Sequence, residues 1–397
     1  MSQLKILTFI AHYLPGYKSG GPVRTIANLV DRLGDEFDFW IVTSDRDPLD
    51  AGPYATVEVN AWNSVGKAKV YYASPDFLRL GKISRLIRET PHDVLYLNSF
   101  FNAKFTALPL LSKRFGRLPD KPIVLAPRGE FSAGALILKS WKKIPYFMVA
   151  KTFGLYRGII WQASSVHEAN DIQKKLGFVK RSITIAPDLS SPIRDSNQLI
   201  SENNSRKRGD PLRVLFLSRI TPMKNLDFAL KVMAEVSVPV EFNIYGPVRD
   251  ETYWLYCKGL LSNLPPNIKA EYKGSVSPKD VPEIMVGHDL FFLPTMGENY
   301  GHVIPEALSV GTPVLIADTT PWRNLEKAGI GWDIPLNKKD GFLECIHRCF
   351  HLNENDYGIL REKVKHYAME LLADPKLTES NRNLFLQAAG CMKNATK

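Results

Sequence analysis

The fold of this chain is decided by residues 297–313, which read GENYGHVIPEALSVGTP. Apolar runs flank this stretch and predict one strand over Leu290–Leu293 and another over Val314–Ala317. Pro305 is tolerated in a first helical turn, where the N–H that it lacks would have no partner, so a helix is predicted to begin near His302 or Val303. Strand, loop, helix and strand in this order predict one βαβ unit of a parallel sheet.

The same alternation runs through the rest of the chain. Strands are predicted over residues 5–10, 37–43, 94–97, 123–126, 213–217, 240–245 and 270–273, and helices over 23–33 and 225–236. The strand patterns are short and almost wholly apolar, which is typical of parallel strands covered by helices on both faces. We therefore expect an α/β fold with two doubly wound domains of similar size.

The domain border is predicted from a change in composition. Residues 188–211 are rich in Ser, Asn, Asp and Pro, which indicates a linker or a surface loop. The predicted parts are an N-terminal domain over residues 1–190, a linker over 191–211, a C-terminal domain over 212–375 and a helical tail over 376–397 that could cross back to the N-terminal domain. Ligands of doubly wound sheets bind at the carboxyl ends of the strands, so a cleft is expected there.

The composition is that of a soluble globular protein with a basic excess. Hydrophobic residues make up 45% of the 397 residues and charged residues 23%, which argues against disorder, collagen and coiled coil. The net charge of +10 suggests an anionic partner: a nucleotide, a nucleic acid or an acidic membrane surface. No helix-turn-helix, zinc finger, RRM or KH signature is present, so a nucleic-acid partner is not expected.

The expected location is the cytoplasm, with a peripheral position at the inner face of the cell membrane left open. The first residues read MSQLKILTFIAHYLPG, whose apolar run is too short for a signal peptide. No uncharged apolar run approaches the roughly 18–20 residues that span a bilayer. The four cysteines are too few for a disulfide scaffold and form no C-x-x-C pair, which favours a reducing compartment.

Two carboxylates flank the predicted helix start. Glu298 lies in the loop after the first of the two strands, and Glu306 lies in the first turn of the helix. Gly301 allows the backbone to approach a ligand closely, and the N–H groups at a helix start favour an anion. A sugar nucleotide has a diphosphate between two hydroxyl-rich rings and would satisfy both features. The alternative is a solvated loop acid at Glu298 and a helix-capping charge at Glu306.

Two cations lie in the turn that follows the strand over residues 213–217. This turn reads SRITPMKN over residues 218–225 and carries Arg219 and Lys224. A guanidinium binds phosphate oxygens in bidentate fashion and an ammonium adds a point charge, so the pair could stabilise a departing nucleoside diphosphate without a metal. The alternative is a surface loop with two ordinary charges.

The string E-N-Y-G-x-V-x-x-E-A-L-x-x-G-T-P-V resembles the E-x7-E region of retaining GT-B glycosyltransferases of the group-4 family. The residues that follow, DTTPWRNLEKAGIGW over 318–332, are similar to bacterial surface-polysaccharide members. The resemblance is strongest over residues 213–332. It implies the GT-B fold, in which two Rossmann-like domains face a central cleft.

The resemblance also implies roles for individual residues. Glu298 would contact the donor sugar and Glu306 the nucleotide ribose, while Arg219 and Lys224 would bind the pyrophosphate. The implied catalytic residues are Glu298, Arg219 and Lys224. The implied donor-binding residues are Gly20, Gly21, Gly246, Ser275, Val276, Asn299, Tyr300, Gly301, His302, Val303 and Glu306. Simple turns remain the alternative for the glycine pair and for the positions at strand ends.

A departure from the family pattern lies in PRGE over residues 127–130. Many members have a histidine near this point that contacts the donor sugar, and this chain has Arg128 instead. Arg128 is a candidate cation for the cleft and Glu130 a candidate acceptor contact.

Neither of two metal-like patterns is expected to bind a metal ion. Asp45 and Asp47 form a D-x-D, but a charged loop after a strand explains them more simply. Residues 345–351 read CIHRCFH, and on a helix the histidines fall on the side opposite the cysteines, so one tetrahedral ion could not bind all four. No metal and no cofactor is predicted, since the nucleoside-diphosphate sugar is a substrate.

A basic and aromatic segment over residues 131–167 is the candidate membrane surface. It contains no acidic residue, and its cations are Lys139, Lys142, Lys143, Lys151 and Arg157. Cations among aromatic rings suit an anionic lipid surface. The alternative is that the rings belong to the core and the lysines are simply solvated.

The function implied by the resemblance is transfer of a sugar from a nucleoside-diphosphate sugar to a glycan or a lipid-linked oligosaccharide, with retention of anomeric configuration, in the assembly of a bacterial O-antigen, capsule or exopolysaccharide. A nucleotide-sugar epimerase of the same fold and a non-catalytic nucleotide-binding protein remain alternatives.

Overall fold

A computed structural model describes residues 3–48, 50–137, 140–177, 182–190 and 209–390. These residues form two compact units, an N-terminal unit of residues up to 190 together with those from 375 onwards, and a C-terminal unit up to residue 374. The predicted linker over 191–211 lies almost wholly outside the described residues, as does the end of the predicted tail.

The N-terminal unit is built on an eight-stranded sheet in the order β3-β4-β2-β1-β5-β6-β7-β8. The strands are β1 Leu4–Phe9, β2 Phe37–Ser44, β3 Trp62–Val65, β4 Ala68–Ala73, β5 Val94–Asn98, β6 Ile123–Ala126, β7 Ile159–Ala163 and β8 Ile183–Ile185. Every neighbouring pair is parallel except β3 and β4, which form an antiparallel hairpin at the edge. Helices cover both faces, and a separate apolar core lies on each face.

The helices of this unit follow the connections between strands. They are α1 Gly21–Leu33, α2 Leu80–Glu89, α3 Leu108–Arg114, α4 Ala133–Ile137, α5 Ser140–Thr152 and α6 Val166–Leu176, with a short π-helical turn over Ala103–Ala107. In α1 the buried residues Val23, Ile26, Leu29, Val30 and Leu33 recur every three or four positions, which places one apolar face on the sheet.

The C-terminal unit is built on a six-stranded, wholly parallel sheet in the order β11-β10-β9-β12-β13-β14. Its strands are β9 Leu212–Leu217, β10 Val240–Tyr245, β11 Ile268–Gly274, β12 Leu290–Leu293, β13 Val314–Ala317 and β14 Gly331–Ile334. Its helices are α7 Leu226–Met233, α8 Glu251–Leu261, α9 Val281–Val286, α10 Val303–Ser309, α11 Leu325–Ala328, α12 Lys339–His351 and α13 Glu354–Ala373, with a 3₁₀ turn over Pro222–Lys224. The strand order reverses between β9 and β12, which makes their carboxyl ends the switch point at which such sheets bind ligands.

The last described helix, α14 Pro375–Ala388, belongs to the N-terminal unit. The Phe385 ring meets those of Phe37, Phe39 and Tyr96 edge-on at centroid distances of 5.2–6.3 Å. Arg382 donates two hydrogen bonds to the Glu36 carboxylate at 2.5 Å. The chain thus returns to its first unit after completing the second.

The predicted α/β class is confirmed. The strands over Ile123–Ala126, Val240–Tyr245, Leu290–Leu293 and Val314–Ala317 have the predicted bounds. Strands β3, β4, β7, β8 and β14 were missed. The β3–β4 hairpin turns at Gly66, which has a φ of 57°. Strands β3, β8 and β14 lie at sheet edges with one neighbour each, so their apolar pattern is weaker, whereas β4 and β7 were missed although they are buried interior strands.

Candidate active site

Two loops meet at the switch point of the C-terminal unit. Strands β9 and β12 are direct neighbours, with Val214 opposite Leu290 and Leu215 opposite Phe291. The residues that follow each strand, 218–225 and 294–302, therefore leave the sheet at the same edge. The sequence placed the candidate residues in these two loops, and the strand order brings the loops together.

Hydrogen bonds join the two loops. The chain turns through Pro222–Lys224 to Asn225, whose φ of 60° is left-handed. The Asn225 side chain donates to the carbonyl of Pro294 at 2.9 Å, and the Met296 N–H donates to the carbonyl of Met223 at 2.8 Å. Asn is one of the few residues other than Gly that adopts this conformation at low cost. The loops therefore hold a fixed geometry without a ligand.

Lys224 and Glu298 form an ion pair between the two loops. Their side chains are only 9% and 12% exposed. Burial lowers the pKa of the Lys224 ammonium, the Glu298 carboxylate raises it in part, and the nearby Arg219 lowers it further. The two residues that the sequence predicted on separate motifs are thus partners in one buried pair.

Arg219 lies beside this pair. Its side chain is exposed, unlike that of Lys224. Desolvation lowers the pKa of Arg219, the Glu298 carboxylate raises it, and the Arg249 guanidinium lowers it. Arg219 therefore interacts electrostatically both with the Lys224–Glu298 pair and with Arg249. Arg249 was not among the predicted site residues, because it follows β10 and no spacing rule links it to Arg219.

Gly246 sets how closely β10 and the Arg219 loop approach. A Cβ at this position would lie 1.8 Å from the carbonyl oxygen of Ser218, and its φ is 135°. Only glycine fits here without a backbone shift. Ser275 and Val276, which follow β11, were also predicted to bind the donor. Ser275 is exposed, whereas Val276 packs against the apolar core of the unit.

The predicted helix start near His302 or Val303 is confirmed, because α10 begins at Val303. Gly301 has a φ of 76°, and a Cβ there would lie 3.3 Å from Cγ of Glu298. The Ile304 N–H donates to the carbonyl of Gly301 at 2.8 Å. Glu306 lies in the first turn, half-buried, as the sequence predicted.

Trp322 braces the loop that carries Glu298. Its indole N–H donates to the carbonyl of Tyr300 at 2.5 Å, and its ring meets the Tyr300 ring at a centroid distance of 5.5 Å. The Tyr300 ring also meets the His302 ring at a centroid distance of 4.9 Å. Half-buried Asn299 precedes this group in the same loop. Trp322 was missed as a supporting residue, since only the fold brings the segment after β13 to this loop.

In the N-terminal unit, the predicted glycine pair marks the start of α1. Gly20 has a φ of 74° and Gly21 is the first helical residue. The loop before them is held by Asp47, whose carboxylate accepts from the N–H groups of Tyr17 at 3.1 Å and Lys18 at 3.3 Å. This loop follows β1, the strand at which the order of the N-terminal sheet reverses.

The D-x-D residues are structural carboxylates. Asp47 braces the loop just described, and Asp45 pairs with Arg46 at 2.8 Å. Both aspartates are almost fully buried. Among the residues that the structure describes, no group of three or more His, Cys, Asp and Glu side chains is arranged to hold a metal ion. On α12, Cys345 and Cys349 are buried, while His347 contacts the exposed Ser237 at 3.2 Å.

Arg128 is a buried cation at the carboxyl edge of the N-terminal sheet. Its side chain is 7% exposed and forms an ion pair with Asp188. It also donates to Asn98 at 2.7 and 3.1 Å and to the hydroxyl of Tyr96. Burial, the largest single effect, lowers the pKa of Arg128, but Asp188, Tyr96 and Glu168 together outweigh it, so the pKa is raised. Whether Arg128 contacts a sugar stays a prediction.

Glu130 lies two residues later and braces the loop after β5. Its carboxylate accepts from the Ser99 hydroxyl at 2.7 Å, from the Phe101 N–H at 3.0 Å and from the Phe100 N–H. These bonds give Glu130 a positioning role in the loop. Its predicted contact with an acceptor stays a prediction.

The aromatic residues of the segment over 131–167 divide into two groups. Tyr156 and Trp161 belong to the core, which agrees with the alternative that the rings are core residues, whereas Trp141 and Phe153 are exposed. The apolar side chain of Met148 is exposed as well. The side chains of Lys139, Lys142, Lys143 and Lys151 lie outside the described residues. Over the described ranges, no helix combines the length and the apolar character needed to cross a membrane.

Residues 197–371 match the family model of "Glycosyl transferases group 1". The matched range contains Arg219, Lys224, Glu298 and Glu306, and therefore the whole of the buried pair and its surroundings.

A curated relative carries the description "Uncharacterized 41.2 kDa protein in cps region" and comes from Klebsiella pneumoniae. It is 22% identical over 240 residues, which are 59% of this chain. The match spans about 62% of the length of that relative.

Solved structures share the fold over nearly the whole chain. Sucrose-phosphate synthase from Thermosynechococcus elongatus is 14% identical with a TM-score of 0.71, covering 98% of this chain and 100% of that one. Anabaena Alr3699/HepE in complex with UDP and glucose is 13% identical with a TM-score of 0.69, covering 97% and 100%. WaaG, a glycosyltransferase involved in lipopolysaccharide biosynthesis, is 14% identical with a TM-score of 0.64, covering 99% and 100%. At these identities the likeness shows the fold, and the predicted GT-B fold is confirmed.

Proposed function

We propose that this chain is a glycosyltransferase that transfers a sugar from a nucleoside-diphosphate sugar to a glycan or a lipid-linked oligosaccharide, and the match of residues 197–371 to the group 1 model and the shared fold support this. The proposed reaction retains the anomeric configuration, uses no metal ion or other cofactor, and serves the assembly of a bacterial surface polysaccharide. The curated relative in a cps region and the likeness to WaaG support this setting.

The observation that carries the proposal is the buried Lys224–Glu298 pair with exposed Arg219 beside it, at the switch point of the C-terminal sheet. A departing nucleoside diphosphate gains negative charge as its bond to the sugar breaks. Positive groups already in place stabilise that charge without having to reorganise during the reaction. The hydrogen bonds between the two loops keep Lys224 and Glu298 in place before any donor arrives.

The pair divides its bonding capacity between protein and ligand. An ammonium has three N–H donors, and one of those of Lys224 serves Glu298. The other two, together with the guanidinium of Arg219, are proposed to bind the oxygens of the diphosphate. The Glu298 carboxylate is proposed to accept a hydrogen bond from a hydroxyl of the donor sugar. One buried contact would thus orient both parts of the donor.

The chemical step follows from this arrangement. The acceptor hydroxyl oxygen forms a bond to the anomeric carbon while the bond from that carbon to the diphosphate oxygen breaks. The acceptor proton passes to the departing diphosphate oxygen on the same face of the sugar, so the configuration is retained. Arg219 and Lys224 stabilise the charge that remains on the diphosphate.

The remaining donor contacts are proposed around the start of α10. The backbone N–H groups of Tyr300, Gly301, His302 and Val303 would bind the diphosphate, and Glu306 would accept from the ribose hydroxyls. The left-handed turn at Gly301 and the brace from Trp322 support this assignment, because together they fix the path of the backbone.

A membrane-linked acceptor is proposed to be reached from the inner face of the cell membrane. The exposed Trp141, Met148 and Phe153 are flanked by the exposed cations Arg114 and Arg157, a combination that suits an anionic lipid surface. Purified protein should co-sediment at low salt with vesicles that contain anionic lipid, and Trp141→Glu should weaken this. Equal recovery with neutral and anionic vesicles would contradict membrane contact.

The function is tested in two steps. A thermal-shift screen against UDP, GDP, ADP and dTDP sugars should identify one nucleotide that raises the melting temperature, because a ligand that binds only the folded state stabilises it. With that donor, release of the nucleoside diphosphate should require an added glycan acceptor. An isomerised donor without acceptor would indicate an epimerase instead, and a thermal shift without any turnover would indicate a binding protein.

A further inference from the structure

A groove of about 500 Å³ lies at the outer edge of the N-terminal sheet. Residues of β2, β3 and β4 line it on one side, and residues of α2 line it on the other. This volume is in the range of small-molecule binding sites. None of the residues predicted to contact the donor or the acceptor lines it.

Four aromatic rings form a continuous strip in this groove. Trp40 meets Trp62 at a centroid distance of 4.8 Å, Trp62 meets Tyr71 at 5.3 Å, and Tyr71 meets Phe77 at 5.0 Å. Trp62 and Tyr71 are paired directly across the β3–β4 hairpin, which fixes their contact. Tyr71 is buried and the other three rings are half-buried, so the strip keeps partial access to solvent.

Polar groups on the strip remain available to a ligand. The indole N–H of Trp40 donates to the Asp38 carboxylate at 2.9 Å. Over the described residues, the indole N–H of Trp62 and the hydroxyl of Tyr71 have no hydrogen-bond partner in the protein. Tyr and Trp usually find a partner for this group when they are buried. Neither the Trp62 N–H nor the Tyr71 hydroxyl is a fully buried group without a partner, so both reach solvent and can hydrogen-bond to hydroxyl or carbonyl oxygens of a ligand in the groove.

The charges around the groove are mostly positive. The Lys82 ammonium lies 5.7 Å from the centre of the Phe77 ring, and the Lys69 ammonium lies 4.1 Å from that of Trp40. Lys69 lies outside the groove lining, and the Asp38 carboxylate also contacts Trp40. Within the lining, Arg85 pairs with Glu89 at 2.7 Å, so Lys82 is the cation that this carboxylate does not compensate, which favours an anionic ligand.

We propose that this groove binds an acidic oligosaccharide, a glycan chain that carries sugar carboxylates. The flat apolar faces of pyranose rings match the aromatic strip, their hydroxyls match Trp62 and Tyr71, and their carboxylates match Lys82. The proposal rests on the proposed function, in that the bound chain would be the acceptor or product glycan held away from the reacting sugar. An apolar peptide would satisfy the rings but not the cations or the two polar groups.

Binding is tested on the full chain by isothermal titration calorimetry with a galacturonate tetrasaccharide, and with maltotetraose as an uncharged glycan of the same length. Saturable binding of the galacturonate probe is expected, with weaker binding of maltotetraose. No binding of either probe would overturn the proposal. Equal binding of both would overturn its anionic part.

Two variants locate the site, each with a matched control. Trp62→Ala should weaken binding of the galacturonate probe about tenfold or more, whereas Trp141→Ala, which removes an exposed tryptophan outside the groove, should not. Lys82→Glu should weaken it about threefold or more, whereas Arg88→Glu, an equal change of charge on the same helix outside the groove lining, should not.

Lys82 is exposed on α2, so its substitution tests the groove even if Trp62→Ala does not fold. Unchanged binding in Lys82→Glu would overturn the proposal. Donor-induced thermal shifts should be equal in all four variants. If the protein binds the galacturonate probe but no donor raises its melting temperature, the proposal for the groove is supported and the proposed function is contradicted. A donor-induced thermal shift without any glycan binding would support donor binding and overturn the proposal for the groove.

Discussion

Two buried cations, one in each unit, lie just beyond the carboxyl ends of parallel strands and pair with a carboxylate. In the N-terminal unit, the Arg128 guanidinium bonds to Asp188, Asn98 and Tyr96. In the C-terminal unit, the Lys224 ammonium bonds to Glu298 alone among the described residues. The two cations differ in how many of their N–H donors are already hydrogen-bonded to the protein.

The number of protein partners separates a structural cation from one that is available to a ligand. Arg128 joins the ends of β5 and the residue Asp188 beyond β8, so it holds the edge of its sheet together. Lys224 keeps two N–H donors in reserve and has exposed Arg219 beside it. The carboxylates follow the same rule, because Glu130 accepts hydrogen bonds from three residues of the loop after β5, whereas Glu298 accepts one from Lys224.

The largest change in the free energy of unfolding is expected at Arg128, the cation with the most hydrogen bonds to the protein. Arg128→Ala would leave the buried Asp188 carboxylate without its cation, which should lower the free energy of unfolding by about 3–5 kcal/mol. Urea unfolding measures this. Arg85→Ala removes an exposed ion pair and should cost less than about 1 kcal/mol. If the two variants were equally stable, the structural role assigned to Arg128 would be wrong.

The C-terminal cations should instead change turnover. Lys224→Ala and Arg219→Ala should each lower kcat by about 10²–10³, by analogy with the removal of one oxyanion-hole donor. Lys231→Ala, in which the lost lysine belongs to an exposed pair on α7, should leave kcat unchanged. Initial rates with the identified donor measure all three, and circular dichroism checks that they fold. Near-normal kcat in both site variants would remove the role proposed for these cations.

Gly246 tests whether the position of the Arg219 loop matters in its own right. Gly246→Ala forces a Cβ against the Ser218 carbonyl at a φ of 135°, which should cost about 1–3 kcal/mol of stability and raise the KM for the donor. Gly259→Ala is the matched control, because a Cβ there meets nothing within 4 Å. The control should be neutral or slightly stabilising, since alanine favours a helix. Equal stability of the two variants would contradict the close approach at Gly246.

The sequence predicted the core of this architecture because its central strands are short, apolar and sharply bounded. Val240–Tyr245 and Leu290–Leu293 were predicted with their observed bounds for this reason. The β3–β4 hairpin was missed, although Gly66 between two alternating runs was a usable signal. Partial exposure explains why an edge strand such as β3 was missed, but it does not explain the interior strands β4 and β7, which are largely buried.

For the site, the sequence identified residue types in motifs but not their partners. Lys224 and Glu298 are 74 positions apart, and their contact depends on β9 and β12 being neighbours, which no local pattern specifies. The same limit applies to Arg128, whose pairing with Asp188, 60 positions later, no local pattern specifies, and whose predicted contact with a sugar stays a prediction. Pairing between distant loops is a property of strand order.

The smallest expected effect is a change in the shape of a pH profile. Burial lowers the pKa of Lys224, despite the opposing effect of Glu298, and the nearby Arg219 lowers it further. If the ammonium is the form that binds the diphosphate, kcat/KM should fall as pH rises through this lowered pKa, before an ordinary lysine would titrate. Over the same interval the unfolded chain binds more protons at this residue than the folded one, so stability should rise with pH there.

Lys224→Arg separates this titration from other causes of alkaline inactivation. A guanidinium stays charged throughout, so the alkaline fall in kcat/KM should move to higher pH in the variant even if its maximum is lower. Arg128→Lys, which introduces a titratable cation into the structural pair, should leave the position of that fall unchanged in whatever fraction folds. An alkaline fall at the same pH in wild type and Lys224→Arg would mean that Lys224 is not the group that titrates, and the contrast between the two buried cations would then rest on their contacts alone.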